Sequence, residues 1–265
     1  MNTLKILLRK PLNILYIGIF FIVMEVIFRL SSIGAIVSGL VKLGDSDILK
    51  SLISVLQFVT SKTVIPYVAL SILAVSIFGG IFFGVLLSGY LFKVNNGLFG
   101  KVTIKKEFVK GIIKHFKKMW FLTARVILIS CLFILFLAIA MVPLIVILRA
   151  VRLSDQGVVV ISTFIGFLTA ALLFLGSMYY RIYIIFWYAA AINNRKNAFS
   201  EGKKTADKKF WKLVFAMVLF DLVYAAVYIT FTYFDDSIYL LFSRWAFNTM
   251  FFSYYITHFF AEYKR

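Results

Sequence analysis

Residues 101–148 have the sequence KVTIKKEFVKGIIKHFKKMWFLTARVILISCLFILFLAIAMVPLIVIL. Seven lysines fall within the first 18 of these residues, whereas the following 30 residues contain one charged side chain, that of Arg125. About 20 apolar residues are enough for a helix to cross the hydrocarbon core of a bilayer. The stretch therefore predicts a basic segment at a membrane surface followed by a membrane-spanning helix.

The same alternation of basic and apolar segments continues along the whole chain. Six apolar stretches lie between the basic segments, and each is long enough to span a membrane. They are residues 12–40, 64–92, 119–148, 158–192, 213–234 and 238–260. The composition agrees, since 62% of the residues are hydrophobic and the mean hydropathy is +0.96, too apolar for a soluble domain of this size. We predict an all-α polytopic bundle of six transmembrane helices, forming a single integral membrane domain over residues 1–265.

The distribution of lysine and arginine predicts the orientation of this bundle. Twenty basic residues lie at the two termini and in the loops after the second and fourth stretches, and five lie in the other loops. By the positive-inside rule, both termini and the two basic loops are cytoplasmic. The net charge of +18 lies beside membrane spans, which indicates anionic lipids and not nucleic acid as the partner. We expect the cytoplasmic membrane of a bacterium, because the chain is rich in Lys, Ile, Phe and Asn.

The two cytoplasmic loops share a motif. Both contain G-x5-K-K-[MF]-W-x-L, which begins at Gly111 in the first loop and at Gly202 in the second, an offset of 91 residues. An asparagine pair precedes each copy, at 95–96 and at 193–194. The pattern predicts an internal repeat of a basic segment followed by two spans. The alternative is that lysines followed by tryptophan mark any cytoplasmic membrane boundary.

Both basic segments have the pattern of amphipathic helices lying along the membrane interface. In the first, Ile104, Phe108, Ile112 and Phe116 recur every four residues, and in the second small residues occupy the apolar stripe. The predicted lipid-headgroup contacts are Lys105, Lys106, Lys110, Lys114, Lys117, Lys118, Lys203, Lys204, Lys208 and Lys209, with Trp120 and Trp211 as interface anchors. The alternative is that these lysines only fix the topology and anchor the spans.

Charged residues within the apolar stretches are candidate functional residues, because a charge at the membrane centre costs at least about 2.5 kcal/mol. Arg125, Arg181 and Asp221 fall at related depths from the cytoplasmic side and predict a polar cluster. Glu25 and Arg29 are four residues apart and predict a pair within one helix. For the cluster, one interpretation is a salt bridge that holds three spans together. The other is a site where Arg125 and Arg181 bind an anionic group, such as a lipid phosphate, oriented by Asp221.

Nothing in the sequence indicates an enzyme. The chain lacks the H-E-x-x-H, G-x-S-x-G and phosphate-binding glycine motifs, and we assign no catalytic, cofactor-binding or metal-binding residue. Cys131 is the sole cysteine, which excludes a disulfide within the chain. The two histidines, His115 and His258, are isolated in the sequence, and we interpret both as interfacial side chains.

The segment 198–213, AFSEGKKTADKKFWKL, resembles a group of bacterial multi-pass proteins. This group is related to the membrane domain of glycerophosphoryl diester phosphodiesterases and to uncharacterised integral membrane families. In them a small residue, a basic helix and Phe-Trp precede a span. The resemblance covers about twenty residues, recurs weakly at 111–122, and implies a six-helix bundle without the phosphodiesterase activity, which belongs to a separate soluble domain.

The predicted function is that of a non-enzymatic, transport-related or lipid-interacting membrane bundle. The first alternative is the permease subunit of an ABC-type exporter or immunity system, whose energy would come from a separate ATPase subunit. The second is a membrane scaffold without transport. Homo-oligomerisation is compatible with all three.

Overall fold

The computed structural model describes six segments of the chain. They are residues 14–22, 61–98, 106–151, 156–193, 197–233 and 238–264. Every segment contains helix, and within these ranges there is no strand, so the predicted all-α class is confirmed. We number the helices α1 (residues 14–22), α2 (Ile65–Leu98), α3 (Glu107–Val151), α4 (Gln156–Ile192), α5 (Ala198–Lys208), α6 (Phe210–Thr232) and α7 (Ile238–Lys264).

Four of these helices are long and apolar enough to cross a membrane. The candidate spans are Ile65–Leu98, Glu107–Leu137, Thr163–Ile192 and Phe210–Phe231, which correspond to the second to fifth predicted spans. Large apolar side chains on them are exposed, for example Phe78 at 71% and Phe215 at 72%. Such a surface suits lipid and not water. The structure therefore indicates a membrane protein.

The first and the sixth predicted spans are not among these four candidates. Most of the first, together with the Glu25–Arg29 pair, lies outside the described residues. The sixth coincides with helix α7, which is 27 residues long but is not among the four candidate spans. Arg244, Asn248 and several hydroxyl residues make this helix less apolar than the others. Six spans therefore stay a prediction.

The first basic segment is not a separate helix. Helix α3 runs for 45 residues from Glu107 to Val151, so the basic segment and the predicted third span form one continuous helix. At 1.5 Å per residue it is about 67 Å long, more than twice the hydrocarbon thickness. The second basic segment does form its own helix, α5, because the backbone departs from helical geometry at Lys209 before α6 begins at Phe210.

The chain divides into two compact units. Unit 1 comprises Met1–Ser32, Phe82–Leu122 and Arg181–Arg265, and unit 2 comprises Ile33–Ile81 and Thr123–Tyr180. The core of unit 1 contains large, fully buried side chains that include Met119, Phe186, Leu213, Met217 and Phe259. In unit 2, Tyr180 stacks on Phe133 at 4.5 Å and hydrogen-bonds to Ser130.

Candidate functional site

An ion pair joins two of the candidate spans in unit 1. Arg181 on α4 donates from Nη1 to Asp221 Oδ2 on α6 at 2.5 Å, and from Nη2 to Asp221 Oδ1 at 2.8 Å. Nη2 also donates to the hydroxyl of Tyr255 on α7 at 3.0 Å. Two parallel bonds between a guanidinium and a carboxylate are the strongest geometry for this pair. One side chain from each of three helices therefore meets at this site.

Aromatic side chains pack between α6 and α7 next to Asp221. Phe220, which precedes Asp221, contacts the rings of Phe251, Tyr255 and Phe259 at 5.3–5.9 Å. The ring of Tyr255 lies 5.8 Å from the guanidinium carbon of Arg181, within the range of a cation–π contact. Aromatic packing thus fixes Tyr255, which is buried, and Tyr255 in turn contacts the arginine by both its ring and its hydroxyl.

The ion pair lies deep along its helices but is not enclosed by the protein. Arg181 is eleven residues before the end of α4 and Asp221 is eleven residues after the start of α6, which is about 16 Å along each helix. The side chain of Arg181 is 34% exposed and that of Asp221 is 41% exposed. Charges at this depth usually face the interior of a bundle or a water-filled cavity. The partial exposure therefore leaves room for a polar group to contact the pair.

The structure brings together two of the three residues of the predicted cluster. Arg181 and Asp221 form the ion pair, whereas Arg125 is an exposed side chain of unit 2. The sequence pattern does not indicate Tyr255, which contacts Arg181 in the structure. The chain has 14 tyrosines. Nothing in the position of this one in the sequence indicates that it contacts an arginine on another helix.

The basic segments pack against the preceding helices through their glycines. A Cβ atom placed on Gly111 would lie 2.8 Å from Phe92 Cβ and 2.9 Å from Ser88 O of α2. One placed on Gly202 would lie 2.8 Å from Phe186 O of α4. Only a residue without a side chain allows the backbones to approach so closely. The small residue of each motif is therefore a helix-packing position.

Most lysines of both segments are exposed, but they do not all point away from these contacts, since Lys114 Nζ lies 6.0 Å from the ring of Phe92. Lys106, Lys110, Lys114, Lys117, Lys203, Lys204 and Lys208 are exposed, Lys118 and Lys209 are half-buried, and Lys105 lies outside the described residues. Of the two predicted anchors, Trp211 is 71% exposed, whereas Trp120 is half-buried between Phe116 and Phe121. The two tryptophans therefore occupy different environments.

A network of polar contacts at the loop end of unit 1 was not predicted. Lys212 pairs with the buried Glu262 at 2.7 Å, and Lys209 donates to the backbone oxygen of Glu262 at 2.8 Å. Asn95 Nδ2 donates to Asn193 Oδ1 at 3.2 Å, and Lys264 donates to the backbone oxygen of Asn95 at 3.2 Å. The last turn of α7 therefore contacts the end of α2 and the start of α6. The two asparagine pairs stand out in the sequence, but nothing in the sequence indicates that Asn95 and Asn193 bind each other.

Of the two histidines predicted to be interfacial side chains, His115 is instead buried. His115 is 2% exposed and its ring lies 5.4 Å from that of Phe92, so it is a buried side chain of the α2–α3 contact. His258 is half-buried beside Tyr254 and Phe220. Among the residues that the structure describes, no three His, Cys, Asp or Glu side chains are grouped closely enough to hold a metal ion.

The chain shows no similarity to a known protein. Comparison with protein-family models, curated proteins and solved structures finds no match to this chain, so the resemblance to the phosphodiesterase membrane domain stays a prediction.

Proposed function

We propose that this chain is a six-span, non-enzymatic protein of the cytoplasmic membrane that binds anionic lipids through its two basic segments, in a lipid-interacting or transport-related role. The observation that carries the proposal is the two-sided character of those segments. Each segment packs on the preceding helix through its glycine, and seven lysines of the two segments are exposed. Each lysine beside an anionic membrane surface contributes about 1 kcal/mol of attraction. The exposed lysines therefore form a surface suited to anionic headgroups.

The burial pattern supports the proposed internal repeat. Helix α3 begins at Glu107 and helix α5 at Ala198, which are 91 residues apart, like Gly111 and Gly202. Buried residues follow with the same offset: His115 and Ala206, Met119 and Phe210, Leu122 and Leu213. Gly111 packs on Ser88, which lies seven residues before Asn95. Gly202 packs on Phe186, which lies seven residues before Asn193. A boundary signal made only of lysine and tryptophan does not account for matched packing of this kind.

The proposed orientation is tested by cysteine labelling of intact cells. In a Cys131→Ser background, Lys62→Cys and Lys204→Cys each place one thiol at an exposed position. Because the positive-inside rule places the second basic segment in the cytoplasm, a membrane-impermeant maleimide should label position 62 and leave position 204 unlabelled until the cells are permeabilised. Labelling of position 204 from outside would show that the proposed topology is wrong.

Anionic lipid binding is tested by removing three lysines from α5. The triple substitution Lys203→Gln, Lys204→Gln and Lys208→Gln removes about 3 kcal/mol of attraction to an anionic surface. We expect the purified variant to retain much less phosphatidylglycerol than the wild type after extraction from mixed vesicles, as quantified by mass spectrometry. Added salt should weaken retention by the wild type, because exposed charges are screened.

A single substitution provides the matched control. Lys62→Gln removes an exposed lysine from the opposite side of the proposed bundle, and it should leave phosphatidylglycerol retention unchanged. Equal retention by the triple variant and the wild type would mean that the lysines fix topology only.

The permease subunit of an ABC-type exporter or immunity system is the second candidate. Helix α5 favours it, because a short helix of 11 residues between two spans, with three exposed lysines, offers a cytoplasmic surface to a separate ATPase. Co-purification of a nucleotide-hydrolysing subunit that is lost after the triple lysine substitution would support this role. Isolation from its native membrane as a lone protein or a homodimer would support a bundle that works without an ATPase.

A further inference from the structure

The Arg181–Asp221 pair has unused hydrogen-bonding capacity. A guanidinium has five N–H donors, and three of those on Arg181 are taken by Asp221 and Tyr255. The Nε hydrogen and one Nη1 hydrogen have no acceptor among the described residues. Each oxygen of Asp221 accepts one hydrogen bond from Arg181, whereas a carboxylate accepts about four. Unused donors and unused acceptor positions therefore belong to the same ion pair.

The depth of the pair makes this unused capacity costly. The site is about 16 Å along α4 and α6 from their loop ends and lies within two candidate spans. In hydrocarbon, donors and acceptors without partners cost free energy that hydration would otherwise offset. Because both side chains are more than one-third exposed, a polar group from outside the protein is able to reach them. A polar group bound at the exposed side of the ion pair is therefore more favourable than lipid hydrocarbon chains at that position.

Charge balance restricts the chemistry of this occupant. The guanidinium and the carboxylate sum to zero, so an anion alone would leave a net negative charge within the span and a cation alone a net positive charge. Net charge at this depth is strongly disfavoured. A zwitterion keeps the sum at zero, with its oxyanion on the free donors of Arg181 and its ammonium on the free lone pairs of Asp221.

We infer that Arg181, Asp221 and Tyr255 form an intramembrane binding site for a zwitterionic phosphoethanolamine headgroup of a membrane lipid. The phosphate oxygens accept hydrogen bonds from Arg181, and the primary ammonium donates to Asp221. The exposed flank of the pair lies within spans whose surface is apolar, which suits the acyl chains of a lipid. This site is separate from the anionic surface formed by the lysines, and the inference does not depend on that surface.

A first test needs no substitution. The wild-type protein is reconstituted in vesicles of equal parts phosphatidylethanolamine, phosphatidylcholine and phosphatidylglycerol, extracted in mild detergent, and its retained lipids are quantified. The trimethylammonium of phosphatidylcholine has no N–H donor for Asp221, so phosphatidylethanolamine should be retained about tenfold over phosphatidylcholine, the worth of one charge-assisted hydrogen bond. Equal retention of the two lipids would overturn the inference.

Substitutions at the pair test the charge argument. Asp221→Asn keeps the shape but leaves a net charge of +1, so retained phosphatidylethanolamine should fall about tenfold while retained phosphatidylglycerol rises. Arg181→Gln should lower phosphatidylethanolamine without that rise, and Asp221→Glu should restore it. Arg244→Gln is the matched control, because it removes an intramembrane arginine whose Nη2 donates to Phe231 O and not to this site.

Two further outcomes would count against the site. If Asp221→Asn lowers thermal stability but leaves the lipid ratio unchanged, the pair is only structural. If soluble glycerophosphoethanolamine displaces the lipid at equal concentration, the acyl chains contribute nothing and the lipid assignment is wrong. The triple lysine variant should lose phosphatidylglycerol and keep phosphatidylethanolamine, so that failure of the anionic surface and failure of this site are distinguishable.

Discussion

Replacing Gly202 by alanine is expected to lower the free energy of unfolding by about 1–3 kcal/mol, the usual effect of overpacking. The added methyl group would lie 2.8 Å from Phe186 O, 3.0 Å from Phe186 C and 3.1 Å from Trp187 N. All three are backbone atoms of α4, which cannot turn aside as a flexible side chain does. Helix α5 would have to move away from α4 and expose the buried stripe that contains Ala198 and Ala206.

Gly176→Ala is the control for this prediction. The nearest atom to a Cβ at that position belongs to Phe133, at 3.8 Å, which is an ordinary van der Waals distance. Because alanine favours a helix over glycine by about 1 kcal/mol, this substitution should be neutral or stabilising. Thermal unfolding of both variants in the same detergent measures the difference. A melting temperature of the Gly202 variant equal to that of the Gly176 variant would contradict the packing of α5 on α4.

Asp221→Leu is expected to lower the free energy of unfolding by about 2–4 kcal/mol, because it leaves Arg181 without its counter-charge inside the membrane. The loss comes from the unpaired guanidinium and not from packing, since the side chain of Asp221 is 41% exposed. Replacement of both partners, Arg181→Met with Asp221→Leu, should recover most of this stability, because apolar residues often substitute for a buried ion pair without loss.

A double-mutant cycle of these variants measures the coupling between the two residues. We expect the two single substitutions to be strongly non-additive. Asp207→Asn is a control at the surface, where Tyr183 donates to an exposed carboxylate at 2.6 Å, and its effect should stay within about 1 kcal/mol. Additive losses from Arg181→Met and Asp221→Leu would show that the pair does not stabilise the bundle.

Local hydrophobicity was enough to locate the candidate spans. The stretch 64–92 became α2 at Ile65–Leu98, and the stretch 213–234 became α6 at Phe210–Thr232. The ends differ by a few residues because hydropathy marks where the chain stops being apolar, whereas a helix continues until its backbone hydrogen bonds end. The basic segment before Trp120 is the clearest case, since lysines are good helix formers and α3 passes through them without a break.

The candidate site was predictable only in part, for a reason of geometry. Depth along each span identified Arg181 and Asp221 as charges at a related level, and the structure pairs them. Depth does not specify the direction in which a side chain points around its helix. Arg125, at a related depth, is an exposed residue of the other unit, and Tyr255 was not singled out. Likewise, the buried position of His115 depends on the approach of α3 to α2.

The all-α class and the alternation of basic and apolar segments follow from the sequence alone, which predicts six apolar spans, four of which the structure shows as helices able to cross a membrane. These features depend on the transfer of local stretches between water and lipid. Which helix faces meet is visible only in the three-dimensional arrangement. It placed Gly111 and Gly202 against neighbouring backbones, joined Asn95 to Asn193 and added Tyr255 to the ion pair. These contacts depend on the rotation and separation of helices distant in sequence, and no local pattern encodes either.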